Sequence, residues 1–149
     1  MTSEEIISLL PYKEPFLFVD GLRDISEEGI SGFYRYSENA FFYKGHFKDN
    51  PVTPGVILTE TAAQIGLVCL GIYLLRQKLS DISSLQIAFT SSQMDFYIPV
   101  FPGETVFAES EKEYFRFNKL KCKIKLFNAR HELVCRGNLS GMIKLSEIE

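Results

Sequence analysis

Apolar and polar residues alternate most strictly between positions 119 and 126. Leu120, Cys122, Ile124 and Leu126 interleave there with Lys119, Lys121, Lys123 and Lys125. A period of two predicts a strand with one face in a core and a lysine face in water. After a turn over Asn128 to His131, a returning strand puts Leu133, Cys135, Gly137, Leu139, Gly141 and Ile143 on one face. Its two inward glycines leave room for a helix to lie close. Upstream, Leu85, Ile87 and Phe89 alternate on odd positions, and Met94, Phe96 and Ile98 on even ones. The change of phase across Ser91 to Gln93 predicts a β-bulge. Pro102-Gly103 marks a turn before a long strand over Thr105 to Phe117.

The first half reads differently. Ser3 to Leu10 is a short helix, capped by Ser3, with Glu4 and Glu5 in its positive first turn and Pro11 to end it. Phe16 to Ile25 and Ile30 to Tyr36 form a hairpin about Glu27-Glu28-Gly29, and an irregular stretch from Ser37 to Pro54 follows. Val56 to Leu79 is the one long helix, apolar on nearly every side and therefore buried all round. The whole is a single α+β domain over residues 1–149, an antiparallel sheet of about six strands curved around one helix. One helix leaves part of such a sheet uncovered, so a homodimer is the natural completion.

Composition narrows the class. Of 149 residues, 46% are hydrophobic, and 16 basic against 19 acidic groups leave a formal charge of -3. That excludes a disordered chain and lacks the basic footprint of nucleic-acid binding. Cys69, Cys122 and Cys135 contain no CxxC, which excludes zinc ribbons and thioredoxin-like motifs and leaves no metal site. Cys122 and Cys135 fall on one face of adjacent strands in diagonal register and read as buried thiols. An odd count of thiols suits a reducing compartment. Met1 to Glu5 carries two acids and no basic region, unlike a secretory signal. The apolar run from Ile65 falls short of the ~20 residues that a bilayer needs. The expectation is a cytoplasmic protein with no membrane span.

Candidate chemistry concentrates between Gly45 and Gln64. His46 sits in an irregular stretch between glycine and phenylalanine, and two proline-flanked turns lead from it into the buried helix. Glu60 lies one turn inside that helix, with Val56 and Gln64 one turn away on either side. A desolvated carboxyl there has a raised pKa and Gln64 within reach; the alternative is a carboxylate leaning out to serve the helix dipole. Gly55 and Val56 offer free backbone N–H groups at the helix start. An imidazole, a carboxyl and an oxyanion site suit chemistry next to a carbonyl: a base for the α-carbon, donors for an enolate oxygen and an acid for a leaving group.

These segments resemble a known family. Leu10-Pro11-Tyr12-Lys13-Glu14-Pro15-Phe16-Leu17-Phe18-Val19-Asp20, then Gly45-His46-Phe47, Pro51, Pro54-Gly55-Val56, Glu60 and Ala63-Gln64, are similar to the (3R)-hydroxyacyl-[acyl-carrier-protein] dehydratases of fatty-acid synthesis, the FabZ type. Pro99-Val100-Phe101-Pro102-Gly103-Glu104 resembles that family's PVxPGD turn. The resemblance runs from residue 10 to about 145 and implies the hot-dog fold, a sheet wrapped around one helix. It implies that His46 and Glu60 are catalytic and meet across a dimer interface, and that the Gly55 and Val56 N–H groups hold the thioester oxygen while Gln64 positions the carboxyl. It implies no bound cofactor, because the substrate rides on the phosphopantetheine arm of an acyl carrier protein. Lys13, Lys44 and Lys48, which flank the motif segments, are the candidate docking residues for that acidic partner. Both a dimer and a trimer of dimers fit the resemblance.

Tyr12 stands where the family usually has histidine, Lys48-Asp49 replace a usual Pro-Gly, and Thr59 and Thr61 flank the glutamate. These departures suggest a divergent branch with unusual acyl chains, such as those of polyene pigments. The related dehydratase-isomerases carry aspartate where Glu60 stands, which disfavours isomerisation. The alternatives are a hot-dog acyl thioesterase, which usually has no histidine in a Gly-His-Phe loop, and a non-catalytic acyl-binding subunit, which normally has lost His46 or Glu60.

Overall fold

The computed structural model describes residues 1–79 and 82–147. A short helix α1 (Ser3–Ser8) leads into β1 (Gly21–Ile25) and β2 (Gly29–Arg35). A 3₁₀ turn (Phe41–Lys44) precedes the core helix, which is α2 (Gly55–Ala63), a π turn (Gln64–Val68) and α3 (Cys69–Leu74) end to end. Then come β3 (Ile82–Phe96), β4 (Thr105–Arg116), β5 (Lys119–Phe127) and β6 (Leu133–Glu147). All six strands join one antiparallel sheet in the order β1-β2-β4-β5-β6-β3. Leu120, Cys122, Ile124 and Leu126 of its central strand β5 are buried. They face the helix, as the strict alternation requires.

The core helix is long and apolar enough, by length and composition, to cross a membrane, yet 78% of its most apolar window is buried inside the protein. It is the helix around which the sheet is wrapped. Residues 61–72 are buried on every side. Its α-helical hydrogen bonding breaks at the π turn, where the Cys69 N–H bonds to the Gln64 carbonyl five residues back. The Ser110 hydroxyl on β4 donates to the Gly66 carbonyl in the same turn (2.8 Å). A Cβ on Gly66 would stand 2.6 Å from the Ile124 side chain, so only glycine lets helix and sheet meet this closely.

Several expectations shift in detail. Thr2 caps α1, in a reciprocal pair with Glu5. The Ser3 hydroxyl is occupied elsewhere, accepting from the Leu22 N–H (3.1 Å). The first hairpin strand begins at Gly21 rather than Phe16, because the backbone of Phe16 and Phe18 is bonded to a helix side chain instead of a neighbouring strand. The long helix ends at Leu74 rather than Leu79, where Arg76 turns back to the Tyr73 carbonyl and to Glu27. The bulge in β3 falls between Phe89 and Ser91, just before the expected place. Gly141 does lie against the helix, where a Cβ would be 3.2 Å from Leu67. Gly137 does not: there a Cβ would strike the Gln93 carbonyl on β3 at 1.9 Å.

Cys122 stands opposite Leu139 and Cys135 opposite Leu126, so the two thiols are four positions apart rather than diagonal. All three cysteines are free and buried. The lysine face is matched by acids within the sheet. Lys121 and Lys123 reach Glu113 (3.4 and 3.6 Å), and Lys125 lies between Glu109 and Arg136, with Asp95 beyond. Such exposed pairs contribute little stability, but they leave that face without a strong net charge.

The π turn gives a stability prediction. Ser110→Ala leaves the buried Gly66 carbonyl without its side-chain donor, which should cost about 1–2 kcal/mol. Urea denaturation of the two proteins checks this, and an unchanged midpoint would mean that the carbonyl finds another donor.

Candidate active site

His46 follows the 3₁₀ turn, in a loop tied at both ends. The Val52 N–H donates to the His46 carbonyl (2.7 Å), and the His46 ring meets the Val52 carbonyl through Nδ1 (3.0 Å). A carbonyl can only accept, so Nδ1 carries a proton, and in the neutral tautomer that this selects the lone pair is on Nε2. Phe47 stacks on the ring at 4.2 Å between centroids. Thr53, just beyond this loop, is held by a buried hydrogen bond between its hydroxyl and that of Tyr43 (2.6 Å) and by its N–H on the Val100 carbonyl (2.8 Å). The imidazole opens on a cavity of about 320 Å³ with Thr53, Gly55 and Leu58 on one side and Phe96 to Pro99 on the other.

Gly55 begins α2 directly after Pro54, whose carbonyl receives the N–H groups of Ile57 and Leu58. Among the described residues, the N–H groups of Gly55 and Val56 have no acceptor. Gly55 and the imidazole line the same cavity, so a free donor at the positive end of a helix lies beside the ring. Phe96 covers Gly55, with ring atoms 3.3 Å from where a Cβ would sit.

Glu60 is five residues further on. Five residues turn an α-helix by about 140° beyond a full circle, which carries its side chain away from Gly55. It lines a different cavity, of about 190 Å³, with apolar walls from Ala63, Leu67, Val68, Ile87 and Phe89 and with Tyr12 as its other polar neighbour. Burial pushes the Glu60 carboxyl up from the ordinary carboxylate range, and a hydrogen bond from Gln64 works against that rise. The reading of Glu60 as an exposed dipole partner is thereby set aside.

Gln64 is completely buried and its amide is fully used. Its Oε1 accepts the Phe18 N–H (2.8 Å); its Nε2 donates to the Phe16 carbonyl (3.1 Å) and to Glu60 Oε2 (3.0 Å). Because Phe18 can only donate and Phe16 can only accept there, the amide cannot flip, and an N–H always faces the carboxylate. Thr61, beside Glu60, donates to the Ile57 carbonyl (2.9 Å) and so accepts from Tyr36 (2.5 Å). Sequence reasoning missed Tyr36 and Phe18. Neither carries an obvious motif signal, since one acts through a phenol inside the core and the other through its backbone.

Within one chain, then, His46 shares a cavity with Gly55, and Glu60 shares one with Tyr12, but His46 and Glu60 do not share one. Val56, on the Glu60 side of the helix, is 77% exposed. Lys13, Lys44 and Lys48 are all exposed and make no ion pair among the described residues. A wider concavity of about 550 Å³ lies on the lysine face, among charges that offset one another, and contains none of these groups.

A model of the FabA-like domain matches residues 10–136, which include His46 and Glu60 with their cavities. The chain belongs to the FabA-like family. Within it, the sequence is 33% identical over 123 residues to the 3-hydroxyacyl-[acyl-carrier-protein] dehydratase FabZ of Petrotoga mobilis, covering 83% of this chain and 84% of the relative. It is 31% identical over 148 residues to the FabZ of Ehrlichia canis, covering 97% and 96%. The FabZ resemblance read from the motifs is thus borne out over nearly the whole chain. Among solved structures, a chain of the dehydratase heterocomplex ApeI:P from Xenorhabdus doucetiae superposes with a TM-score of 0.75 over 92% of this chain and 89% of its own, at 10% identity. A hypothetical thioesterase from Streptococcus pneumoniae, solved with coenzyme A, gives 0.64 over 85% and 87%, also at 10% identity. At such identity these two share the hot-dog fold with this FabZ-type dehydratase and say nothing of its chemistry.

The raised carboxyl predicts a pH-dependent stability difference. Between its unfolded and its folded pKa, Glu60 binds more protons in the folded protein than in the unfolded chain. The wild type therefore loses stability as pH rises through that window. Glu60→Gln removes this term, so at pH 7 it should unfold at an equal or higher temperature than the wild type, and the gap should close toward pH 4. Thermal unfolding across that range tests it; a variant consistently less stable at pH 7 would contradict the buried-charge reading.

Proposed function

We propose that this dehydratase eliminates water from (3R)-3-hydroxyacyl thioesters carried by an acyl carrier protein, giving trans-2-enoyl thioesters, with His46 as base and Glu60 as acid. The observation that carries the roles is the fixed imidazole: Nδ1–H held by Val52 leaves Nε2 facing a cavity with an unpaired Gly55 N–H. The thioester acidifies the C2 proton, which Nε2 removes. The N–H groups of Gly55 and Val56 hold the oxygen on which charge collects. Glu60, its pKa raised by burial and its carboxyl oriented by Gln64, gives a proton to the departing 3-hydroxyl. The C2–C3 double bond forms as the C3–O bond breaks, and water leaves. The apolar walls beyond Glu60 suit an acyl chain. The free thiols suit a cytoplasmic setting.

Because one chain keeps its base and its acid in separate cavities, the reading needs a second copy. β3 supports this. It is a 15-residue edge strand carrying Ile87 and Phe89 of the Glu60 cavity and ending at Phe96, where the His46 cavity begins. If two such edges pair antiparallel about a two-fold axis near Ser92, Ile87 of one copy stands opposite Tyr97 of the other. Each imidazole cavity then adjoins the other copy's carboxyl cavity.

A thioesterase would use the same carboxyl and helix N-terminus but has no need of the fixed imidazole. Incubation with a 3-hydroxyacyl thioester separates the readings, since a dehydratase yields enoyl thioester, a thioesterase free acid and a binding subunit neither. His46→Ala and Glu60→Gln should each fold and each lose about 10²–10⁴-fold in rate. Mixed and allowed to exchange subunits, the two variants should regain activity, because one of the two sites in each heterodimer has both native groups. Full turnover in either variant overturns the role given to that residue, and no regain after proven exchange overturns the shared site.

The carrier is acidic, and so is this chain, which makes a local basic patch the plausible contact. Lys13, Lys44 and Lys48 are free to supply it. Reversing the charge at Lys44 and Lys48 should slow turnover of carrier-bound substrate, most at low salt, while sparing a short pantetheine thioester. Equal rates on the carrier substrate before and after reversal would remove these lysines from docking.

A further inference from the structure

We infer that Tyr12 is a third polar group at the leaving end of the reaction, its hydroxyl donating a hydrogen bond to the substrate's 3-oxygen as the C3–O bond breaks. This rests on the dehydratase reading above and adds a residue to it. The inference starts from the composition of one cavity. Five of the side chains around the space beside Glu60 are apolar, and the two polar ones are the carboxyl and the Tyr12 phenol. Gln64 already occupies Oε2 of that carboxyl. Among the described residues, Oε1 of Glu60 and the Tyr12 hydroxyl have no hydrogen-bond partner. Neither atom is sealed from water, but no protein acceptor holds the phenol, and packing against apolar walls alone would be served equally by phenylalanine. Two unpaired polar groups lining one otherwise apolar cavity suit a ligand that brings a polar atom into it.

The leaving oxygen is such an atom. When the C3–O bond breaks, its electron pair stays on oxygen, and Glu60 supplies the one proton needed to make water. A second donor stabilises the charge that develops before that transfer is complete. Tyr12 is suited to be that donor and nothing more. Burial, and then the charge of Glu60, push its phenol up to about 12, so it remains protonated through the working range and keeps its proton in the product state. Its placement is tied to that of the acid. The Tyr12 ring lies 6.4 Å from that of Phe16, and the Phe16 carbonyl holds the amide that orients Glu60.

The test is Tyr12→Phe, which removes only the hydroxyl. Dehydration of a 3-hydroxyacyl pantetheine thioester should fall on the order of 10²-fold in kcat, with KM changed by less than about threefold. The limb of the pH profile that Glu60 governs and the thermal midpoint should not move. Wild-type kcat in this variant overturns the inference. So does a displacement of the pH limb that Glu60 governs, which would mean that the hydroxyl acts on the carboxyl and not on the leaving oxygen. His46→Ala and Glu60→Gln, measured alongside, keep the two claims apart. If either keeps full turnover, the catalytic assignment beneath this inference fails. If both are inactive while Tyr12→Phe is unimpaired, only the role of Tyr12 falls.

Discussion

A carboxamide cut off from water must find its partners inside the protein, and the Gln64 amide finds three. That requirement shapes much of what surrounds it. The Phe16 to Phe18 backbone cannot join the sheet, because its carbonyl and N–H are bonded to the helix side chain. The first strand starts late for that reason. The same two bonds fix the amide, and the amide fixes one oxygen of Glu60. Around this point the rings of Phe16, Phe18, Tyr34 and Tyr36 follow one another at 5.0 to 5.6 Å, each edge to face with the next. Tyr36 then reaches Thr61 on the helix and packs against Phe42 (6.2 Å), next to the Tyr43 that holds Thr53. One run of aromatic side chains thus braces both the carboxyl and the loop from which the imidazole projects.

The sheet contributes by what it leaves open. Most of its concave face is filled by the core helix, but α2 enters with Val56 uncovered, and β3 runs along an edge with Phe89 and Phe96 exposed. Long apolar edge strands are usually blunted in proteins that act alone. Here the exposed positions coincide with the mouths of the two cavities. Phe89 and Phe96 thus line the two cavities and are exposed along the same edge strand.

Much of this was legible in the sequence, for identifiable reasons. The alternation over Leu120 to Leu126 and the apolar run of the core helix bury whole faces, and burial at a fixed period leaves a pattern in a single chain. The pairing of Glu60 with Gln64 was legible because four residues is one helical turn. What escaped depends on contacts between distant segments. The 46-residue separation of Phe18 and Gln64 hides the bond that ends the expected strand, whereas the Thr2 cap was legible after all, in the T-x-x-E spacing to Glu5 that Ser3 lacks. The π turn was also hidden, since its sequence is that of an ordinary apolar helix. Tyr12 was noticed only as a departure from the family's usual histidine; its cavity and its neighbour carboxyl belong to the tertiary structure.

The geometry also accounts for a tension at Glu60. A carboxyl that is to give up a proton near neutral pH needs an elevated pKa, and burial supplies it only by destabilising the charged folded state. Complete burial would hold the proton too tightly, and full exposure would leave the group ionised. Glu60 lies between these limits, partly exposed beside a wholly buried Gln64, whose hydrogen bond favours the charged form and limits the rise. The amide therefore opposes the rise in the carboxyl's pKa and also fixes where the carboxyl points. This gives a physical reason for a long polar side chain at a core position where leucine would be more stabilising: its three bonds convert an unfavourable burial into control of the neighbouring proton.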